Sequence, residues 1–503
     1  MLENILLGAT IATEPVNLLA ALVGVFLGVI VGALPGLTTT MGVALLIPVS
    51  YGMPPVTALI LLGGVYAGGM YGGSIAAILV NTPGTPSAAA TVFDGYPMAQ
   101  KGQAKQALVE AAVASHWGGQ MGTLALLLIA PPLAAFSLRF GPQESFMLGV
   151  FGLTMIASLA GKDMIKGLIG GLLGMLLGSV GMDPQYGFAR YTFGQIALLT
   201  GIPLVPALVG LFSISQILNM IVNKAGTVSL DKSLGKINQY KFSLRDLFMH
   251  PKIYFICGIV GVFIGIIPAV GGSIVAFMGY DVAKRISKNP EEFGTGRREG
   301  VAGPETANSA QKGGTMIPML TLGIPGNPLT AVLLGALMIH GLTPGHDLFT
   351  VRAAVTYPFI VGMFIANFMV LMFGLFCAEQ FAKVNRIPLH FLVMSILVLT
   401  VIGSFAVNNS YPDVFVMLII GILGYFMRRM GYEMAPVVLG IILGPIVERG
   451  FMRTLIINGN NLTPTLLSFV TRPISLVLLV LSILCVVAPL YADYRANKAK
   501  EAA

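Results

Sequence analysis

YFICGIVGVFIGIIPAVGGSIVAFMGY, residues 254–280, decides how this chain is put together. It is apolar enough to read as one membrane-crossing helix, which needs about 20 residues. Its flanks, however, are the two most basic stretches of the sequence, 224–252 and 284–298. A single crossing would carry one of them through the membrane, against the tendency of Lys and Arg to stay cytoplasmic. A re-entrant helical hairpin, entering and leaving on one side, removes the conflict. IPAVGG supplies its tip: Pro268 cannot continue the amide ladder, and Gly271 and Gly272 accept backbone angles that other residues resist. Such broken backbone is tolerated at membrane depth only where it is buried in protein or lines a cavity.

The rest of the chain fits an all-α polytopic membrane protein. Of 503 residues, 55% are hydrophobic and 10% charged, against about 25% charged in soluble domains. Apolar segments of spanning length recur throughout, no hydrophilic stretch is long enough to bury its own core, and the count comes to about 11–12 transmembrane helices. The net charge of +8 does not point to nucleic acid, because most Lys and Arg fall in short loops between apolar segments. No Lys or Arg precedes Lys101. Placing the basic clusters in the cytoplasm puts the N-terminus outside and the C-terminus inside. MLENILLGATIATEP has no basic n-region, so no ordinary signal peptide is expected. Cys257, Cys377 and Cys485 lie in apolar segments without CxxC spacing and read as inert thiols. There is no HExxH, GxSxG, GxGD or GxxxxGK[ST]. The chain therefore reads as no enzyme and as having no cofactor, and any uptake would be driven by an ion gradient.

The hairpin signature recurs near the start, in GVIVGALPGLTTTMGVALLIP, residues 28–48. Gly32, Leu34, Pro35 and Leu37 align with Gly265, Ile267, Pro268 and Val270 at constant spacing. GGSIAAILVNTPGTP, 72–86, aligns with GGTMIPMLTLGIPGNP, 313–328, with one residue inserted; GLLG at 171–174 pairs more weakly with GILG at 421–424. The order is kept, so the chain divides into repeat one (1–223), a basic cytoplasmic linker (224–252), repeat two (253–470) and a C-terminal helix and tail (471–503). The first LPGL hairpin lacks positive flanks where its counterpart is basic on both sides. Equivalent ends thus face opposite sides, which makes an inverted-topology repeat with re-entrant hairpins. GVAGPETANSAQKGG, 300–314, has two readings. Symmetry requires it to cross; its polarity suits a cytoplasmic surface loop.

Paired broken helices in such transporters present free N–H groups to anions and open carbonyls to cations. Candidate substrate-binding residues are Asn81, Thr82, Gly84, Thr85 and Ser87 in the first PGxP break, and Gly326, Asn327 and Thr330 in the second. Thr85 and Ser87 stand where a following half-helix would begin and could cap it. Gly271, Gly272 and Ser273 offer amides and a hydroxyl. Lys312 would hold an anion, with Glu305 as its internal partner or as an ion ligand. The candidate ion-coupling set is Pro35, Gly36, Thr38, Thr39, Thr40, Glu305 and Asn308, with sodium the metal it would take. Asp94 reads as a turn cap, and His116, His340 and His346 as polar or interfacial residues without metal-ligand spacing. The competing reading of every Gly and Pro here is close packing and kinking alone.

GALPGLTTT, YGGSIAAILVNTPGTPSAAATVFDGYPMAQKG, GVAGPETANSAQKGGTMIPMLTLGIPGNPLTAVLLGAL and APVVLGIILG resemble the large membrane subunit of the tripartite tricarboxylate transporters. The resemblance covers nearly the whole chain; Ala269 stands where Gly36 does in the first copy. It implies an ion-gradient-driven permease, coupled to sodium or protons, that imports di- and tricarboxylates across the bacterial inner membrane. It also implies a small membrane subunit of about four helices and a periplasmic solute-binding protein as partners, besides the carboxylate substrate and membrane lipids. The alternatives are a channel-like or scaffold subunit, or an exporter of similar architecture.

Overall fold

The computed structural model describes residues 1–34, 37–159, 164–183, 186–222, 240, 242–267, 271–382 and 389–501. The hairpin tips 35–36 and 268–270, most of the 224–252 linker and the basic stretch 383–388 lie outside the described residues. In chain order the helices are α1 (Leu2–Ala12), α2 (Pro15–Ala33), α3 (Thr39–Tyr51), α4 (Pro55–Val80), α5 (Val92–Gln100), α6 (Ala104–Ser137), α7 (Pro142–Leu159), α8 (Met164–Gly178) and α9 (Leu204–Val222). There follow α10 (Pro251–Ile266), α11 (Gly272–Ile286), α12 (Arg298–Leu322), α13 (Pro328–Ile339), α14 (Ala353–Phe376), α15 (Leu389–Asn408), α16 (Tyr411–Arg429), α17 (Met434–Ile457), α18 (Leu462–Thr471) and α19 (Pro473–Glu501). Among the described residues the remainder is two short helices, His346–Phe349 and Ala378–Ala382, with turns, connecting loops and a two-residue antiparallel ladder, Gly181–Met182 with Ala189–Arg190.

The all-α polytopic class holds. Among the described residues seven helices are long and apolar enough to cross a membrane alone, eight if the bent pair α18 and α19 counts as one span. Other apolar runs that the sequence offers as spans come as shorter helices, α3, α8, α10 and α13 among them. Proline and glycine divide them: prolines open α2, α4, α10 and α13 at their first turn, where a missing N–H costs nothing. At the other end, α4 stops on Asn81 (φ 55°) and α12 on Gly323 (φ 71°), each left-handed and each followed by a PGxP break. Asn and Gly are the residues that tolerate that conformation.

The chain packs as two compact units, Met1–Ala134 with Ile217–Val407, and Ala135–Gln216 with Asn408–Ala503. Each draws on both halves of the sequence. In the first unit, α2 lies along α4 and α10 along α12. Backbones touch in both pairs: a Cβ on Gly28 would overlap the Val65 carbonyl, and one on Gly261 the Ala307 carbonyl. Small residues are how membrane helices reach this separation. The breaks pack crosswise, with the turn after PGTP (Pro86–Ala88) against α11, and α13 against α3.

Polarity in this unit is opposite to that of a soluble protein. α12 carries the PETANSAQK segment, yet residues 300–321 are all buried. The surface-loop reading of 300–314 is therefore overturned; the segment is the interior of a helix, where Glu305 and Lys312 find partners on α6, on α14 and just ahead of α5. Outer faces are apolar instead, with Leu19, Leu22 and Phe26 of α2 and Phe255 and Phe263 of α10 exposed. That arrangement suits lipid, which satisfies no polar group. The N-terminus of α12 is pinned by Arg298, whose guanidinium meets buried Glu110 of α6 at 2.8 Å and Asp246 at 3.4 Å. Tyr254 and Tyr240 hydroxyls donate to Glu110 (2.8 Å) and Asp246 (2.5 Å).

In the second unit α17 packs between α7 and α8, and α16 packs on α9 at a π-helical turn, Gly210–Ile214. Buried Glu144 of α7 takes Arg472 (2.8 Å) and Ser475 (3.2 Å), and Arg190 reaches Glu448 and Asp183.

Candidate functional site

Glu305, Asn308, Ser309 and Lys312 share one face of α12, because offsets of three, four and seven residues return to the same side of a helix. None is more than 1% exposed. Glu305 accepts hydrogen bonds from Thr91 Oγ1, just ahead of α5, and from Ser115 Oγ of α6 at 3.2 Å. Two turns further on, about 10.5 Å along the axis, Lys312 Nζ donates to Asn367 Oδ1 of α14 at 2.9 Å. Glu305 and Lys312 act on each other through their charges along the helix, not through a direct bond; the hydrogen-bond partners of each are neutral groups on neighbouring segments. Among the described residues neither charge makes a direct ion-pair contact, and neutral hydroxyl and amide groups supply their hydrogen bonds.

Between them sits Asn308. Its Nδ2 and Oδ1 both lack hydrogen-bond partners, as does Ser309 Oγ. Buried polar groups are nearly always paired, and an orphaned one costs about 1–3 kcal/mol. An unpaired amide flanked by a buried ammonium and a buried carboxylate has both a donor and an acceptor to offer a ligand. Nδ2 and Lys312 suit a carboxylate, whereas Oδ1 and Glu305 suit a small cation or a proton.

The second PGxP break joins this face through Thr315, whose Oγ1 donates to the Lys312 carbonyl at 3.1 Å and lies 3.3 Å from the Tyr66 hydroxyl. Asn327 caps α13: its Oδ1 accepts the Thr330 N–H at 2.8 Å and its Nδ2 donates to Tyr66 at 3.1 Å. Thr330 returns the bond to the Asn327 N–H at 3.0 Å. Gly326 packs flat on Thr315. The first break is built differently. Thr85 Oγ1 lies 3.1 Å from Ser87 Oγ and caps no backbone N–H, and α5 waits until Val92. The expected half-helix directly after PGTP is thus replaced by one 3-10 turn, since the hydroxyls that would cap it are spent on each other. Gly84 is required by close approach, because a Cβ there would overlap the Gly32 carbonyl. Asn81 is exposed at its left-handed cap, and Thr82 Oγ1 turns back to the Val80 carbonyl at 3.2 Å. Neither joins the buried group.

Of the hairpin residues, Gly272 lies against Ser87 and Gln311, which brings the first break to the second hairpin. Gly271 and Ser273 are half-buried at the start of α11. Thr38 caps α3 through the Met41 N–H at 3.2 Å. Thr39 is buried beside Gly69 with its hydroxyl unpaired, and Thr40 is half-buried. Pro35 and Gly36 lie outside the described residues.

Several members of the site have no signal in the sequence. Tyr66, Thr91, Ser115 and Asn367 are isolated polar residues in apolar or mixed stretches, and only distant folding brings them to α12; a lone Asn in the apolar run of α14 is the sole hint. Asp94 does cap, but not its own turn. Its buried carboxylate accepts the N–H groups of Gly294 (3.0 Å), Gly296 (2.8 Å) and Arg297 (2.7 Å) and the Tyr280 hydroxyl (2.8 Å), anchoring the loop that starts α12. His116 Nδ1 lies 3.2 Å from the Asn367 carbonyl, and His340 Nε2 lies 3.4 Å from Ser50 Oγ. Among the described residues no group of three or more His, Cys, Asp and Glu gathers as a metal site would require.

Comparison with known proteins bears on what this site serves. Residues 18–439 match the profile of the tripartite tricarboxylate transporter TctA family. An uncharacterized 52.8 kDa protein in the TAR-I ttuC' 3' region of Agrobacterium vitis is 39% identical over 502 residues, 99% of this chain and 98% of the relative. An uncharacterized protein in the TAR-II ttuC' 3' region of the same organism is 39% identical over 238 residues, 47% of this chain and 97% of the relative.

Proposed function

Since the chain belongs to the tripartite tricarboxylate transporter TctA family, a family of transporter subunits rather than of enzymes, we propose that it is the permease of an ion-gradient-driven importer of di- and tricarboxylates. The observation that carries this reading is the buried face of α12. Lys312 supplies an ammonium whose bond in this structure goes to a neutral amide oxygen, and Asn308 an amide with both atoms unpaired among the described residues. Together they match one carboxylate of a substrate, by a charge-assisted bond and a neutral one. Glu305, with Asn308 Oδ1 beside it, takes the coupling ion, sodium or a proton. Transport proceeds by alternating access between the two inverted repeats. The crosswise packing of each PGxP segment on the other hairpin's helix supports that symmetry. Family membership implies partner subunits. In this reading they are a small membrane protein of about four helices and a periplasmic binding protein that delivers substrate at the inner membrane.

The test is uptake of labelled di- and tricarboxylates into proteoliposomes holding all three components under an imposed sodium or proton gradient. Gradient-dependent uptake is expected, and Lys312→Met should abolish it. Uptake of no carboxylate under either gradient, or wild-type uptake by Lys312→Met, would overturn the reading.

A further inference from the structure

Asn367 is the residue that ties the site to a neighbouring helix. It is fully buried on α14, and its groups engage two other helices. Oδ1 accepts from Lys312 of α12 at 2.9 Å, Nδ2 donates to Thr123 of α6 at 3.1 Å, and the backbone carbonyl lies 3.2 Å from His116 Nδ1 of α6. The fit is close on the α6 side as well, because a Cβ on Gly119 would overlap the Asn367 amide. A hydrogen-bonded amide oxygen is the geometric equivalent of one carboxylate oxygen, but it carries only a partial charge. Glu305 stands two turns away, engaged by Thr91 and Ser115. Glu305 acts on the ammonium through its charge, but among the described residues no carboxylate competes with Asn367 for a direct bond to it.

We propose that Asn367 Oδ1 is an internal stand-in for the substrate carboxylate: it holds Lys312 in this conformation and yields the ammonium when a carboxylate arrives. The exchange is favoured because a carboxylate oxygen brings a full negative charge to the ammonium where the amide oxygen brings only a partial one, and that Coulombic difference is larger in a low dielectric. It also frees the Asn367 side chain from α12 while Nδ2 keeps its bond to Thr123, so that occupancy of the site is passed to the contact between α14 and α12. Asn367 is thus a positioning residue that sets carboxylate affinity. The inference rests on the reading of Lys312 as the anion-holding group.

The experiment uses the purified full chain and measures labelled citrate and succinate binding alongside thermal unfolding. Asn367→Asp replaces the stand-in with a real carboxylate. Its unfolding midpoint should stay level or rise while binding weakens at least about tenfold, since a permanent ion pair then occupies Lys312. Asn367→Ala removes the competitor, so binding should tighten even as the midpoint falls. A purely structural role gives a different pattern, with binding in both variants falling in step with stability. That pattern, or wild-type binding by Asn367→Asp, overturns the proposal. Lys312→Met separates the two claims: if it binds citrate and succinate like wild type, the reading of Lys312 fails, whereas loss of binding there with unaltered Asn367→Asp sinks the stand-in alone.

Discussion

The two PGxP asparagines look equivalent in the sequence and are not equivalent in the structure. Asn327 is buried, caps α13 in a reciprocal box with Thr330, and donates to Tyr66. Losing a cap costs about 0.5–2 kcal/mol, and Tyr66 loses one of its two hydroxyl partners, keeping Thr315. Asn327→Ala should therefore lower the unfolding midpoint and reduce carboxylate uptake. Asn81 is exposed, and its role is to accept φ 55° at the end of α4. Glycine accepts that angle at least as readily, so Asn81→Gly should leave both uptake and midpoint unchanged. Paired uptake and melting measurements on the two variants check this, and loss of uptake by Asn81→Gly would return that side chain to the site. The sequence showed both breaks, because Pro and Gly act locally. It could not show which asparagine is buried, since that depends on Tyr66, 261 positions away.

At the scale of elements, α12 is where symmetry and composition pointed different ways, and the helix that symmetry required is the one formed. Its polarity argued for a loop, and local composition alone has no means of recognising a polar helix buried among other helices. What makes α12 tenable is its set of partners: Thr91, Ser115 and Asn367 along its length, and the Arg298 clamp at its start. Glu110 in that clamp is fully buried. Removing the cation leaves an uncompensated carboxylate, which typically costs about 3–5 kcal/mol, whereas replacing both partners often costs far less. Arg298→Met should accordingly destabilise the protein strongly, and adding Glu110→Gln should restore a good part of the loss. A double-mutant cycle on unfolding midpoints measures this. If the double variant melts as low as Arg298→Met, then Arg298 acts through packing or Asp246 and not through Glu110.

At the scale of the whole molecule, the inverted repeat predicts that the matched hairpins enter from opposite sides. The charge pattern says so: the loop after α3 has no Lys or Arg near it, while the loop after α11 lies beside Lys284, Arg285 and Lys288. The packing agrees in form, since α2 lies on α4 as α10 lies on α12, and each PGxP segment reaches the opposite hairpin's helix. Packing within one chain does not by itself assign sides, so the claim needs a vectorial measurement. Gly52 and Lys288 are exposed at the equivalent helix ends, and the three native cysteines are free thiols that can be replaced beforehand. Single cysteines at 52 and 288 should then react with a membrane-impermeant maleimide from opposite faces. Position 52 should label in right-side-out vesicles and position 288 in inverted ones. Labelling of both from the same face would remove the inverted repeat. Alternating access would then require some element other than the paired hairpins to switch sides, because in opposed repeats the pseudo-two-fold axis in the membrane plane is what relates the outward-facing arrangement to the inward-facing one.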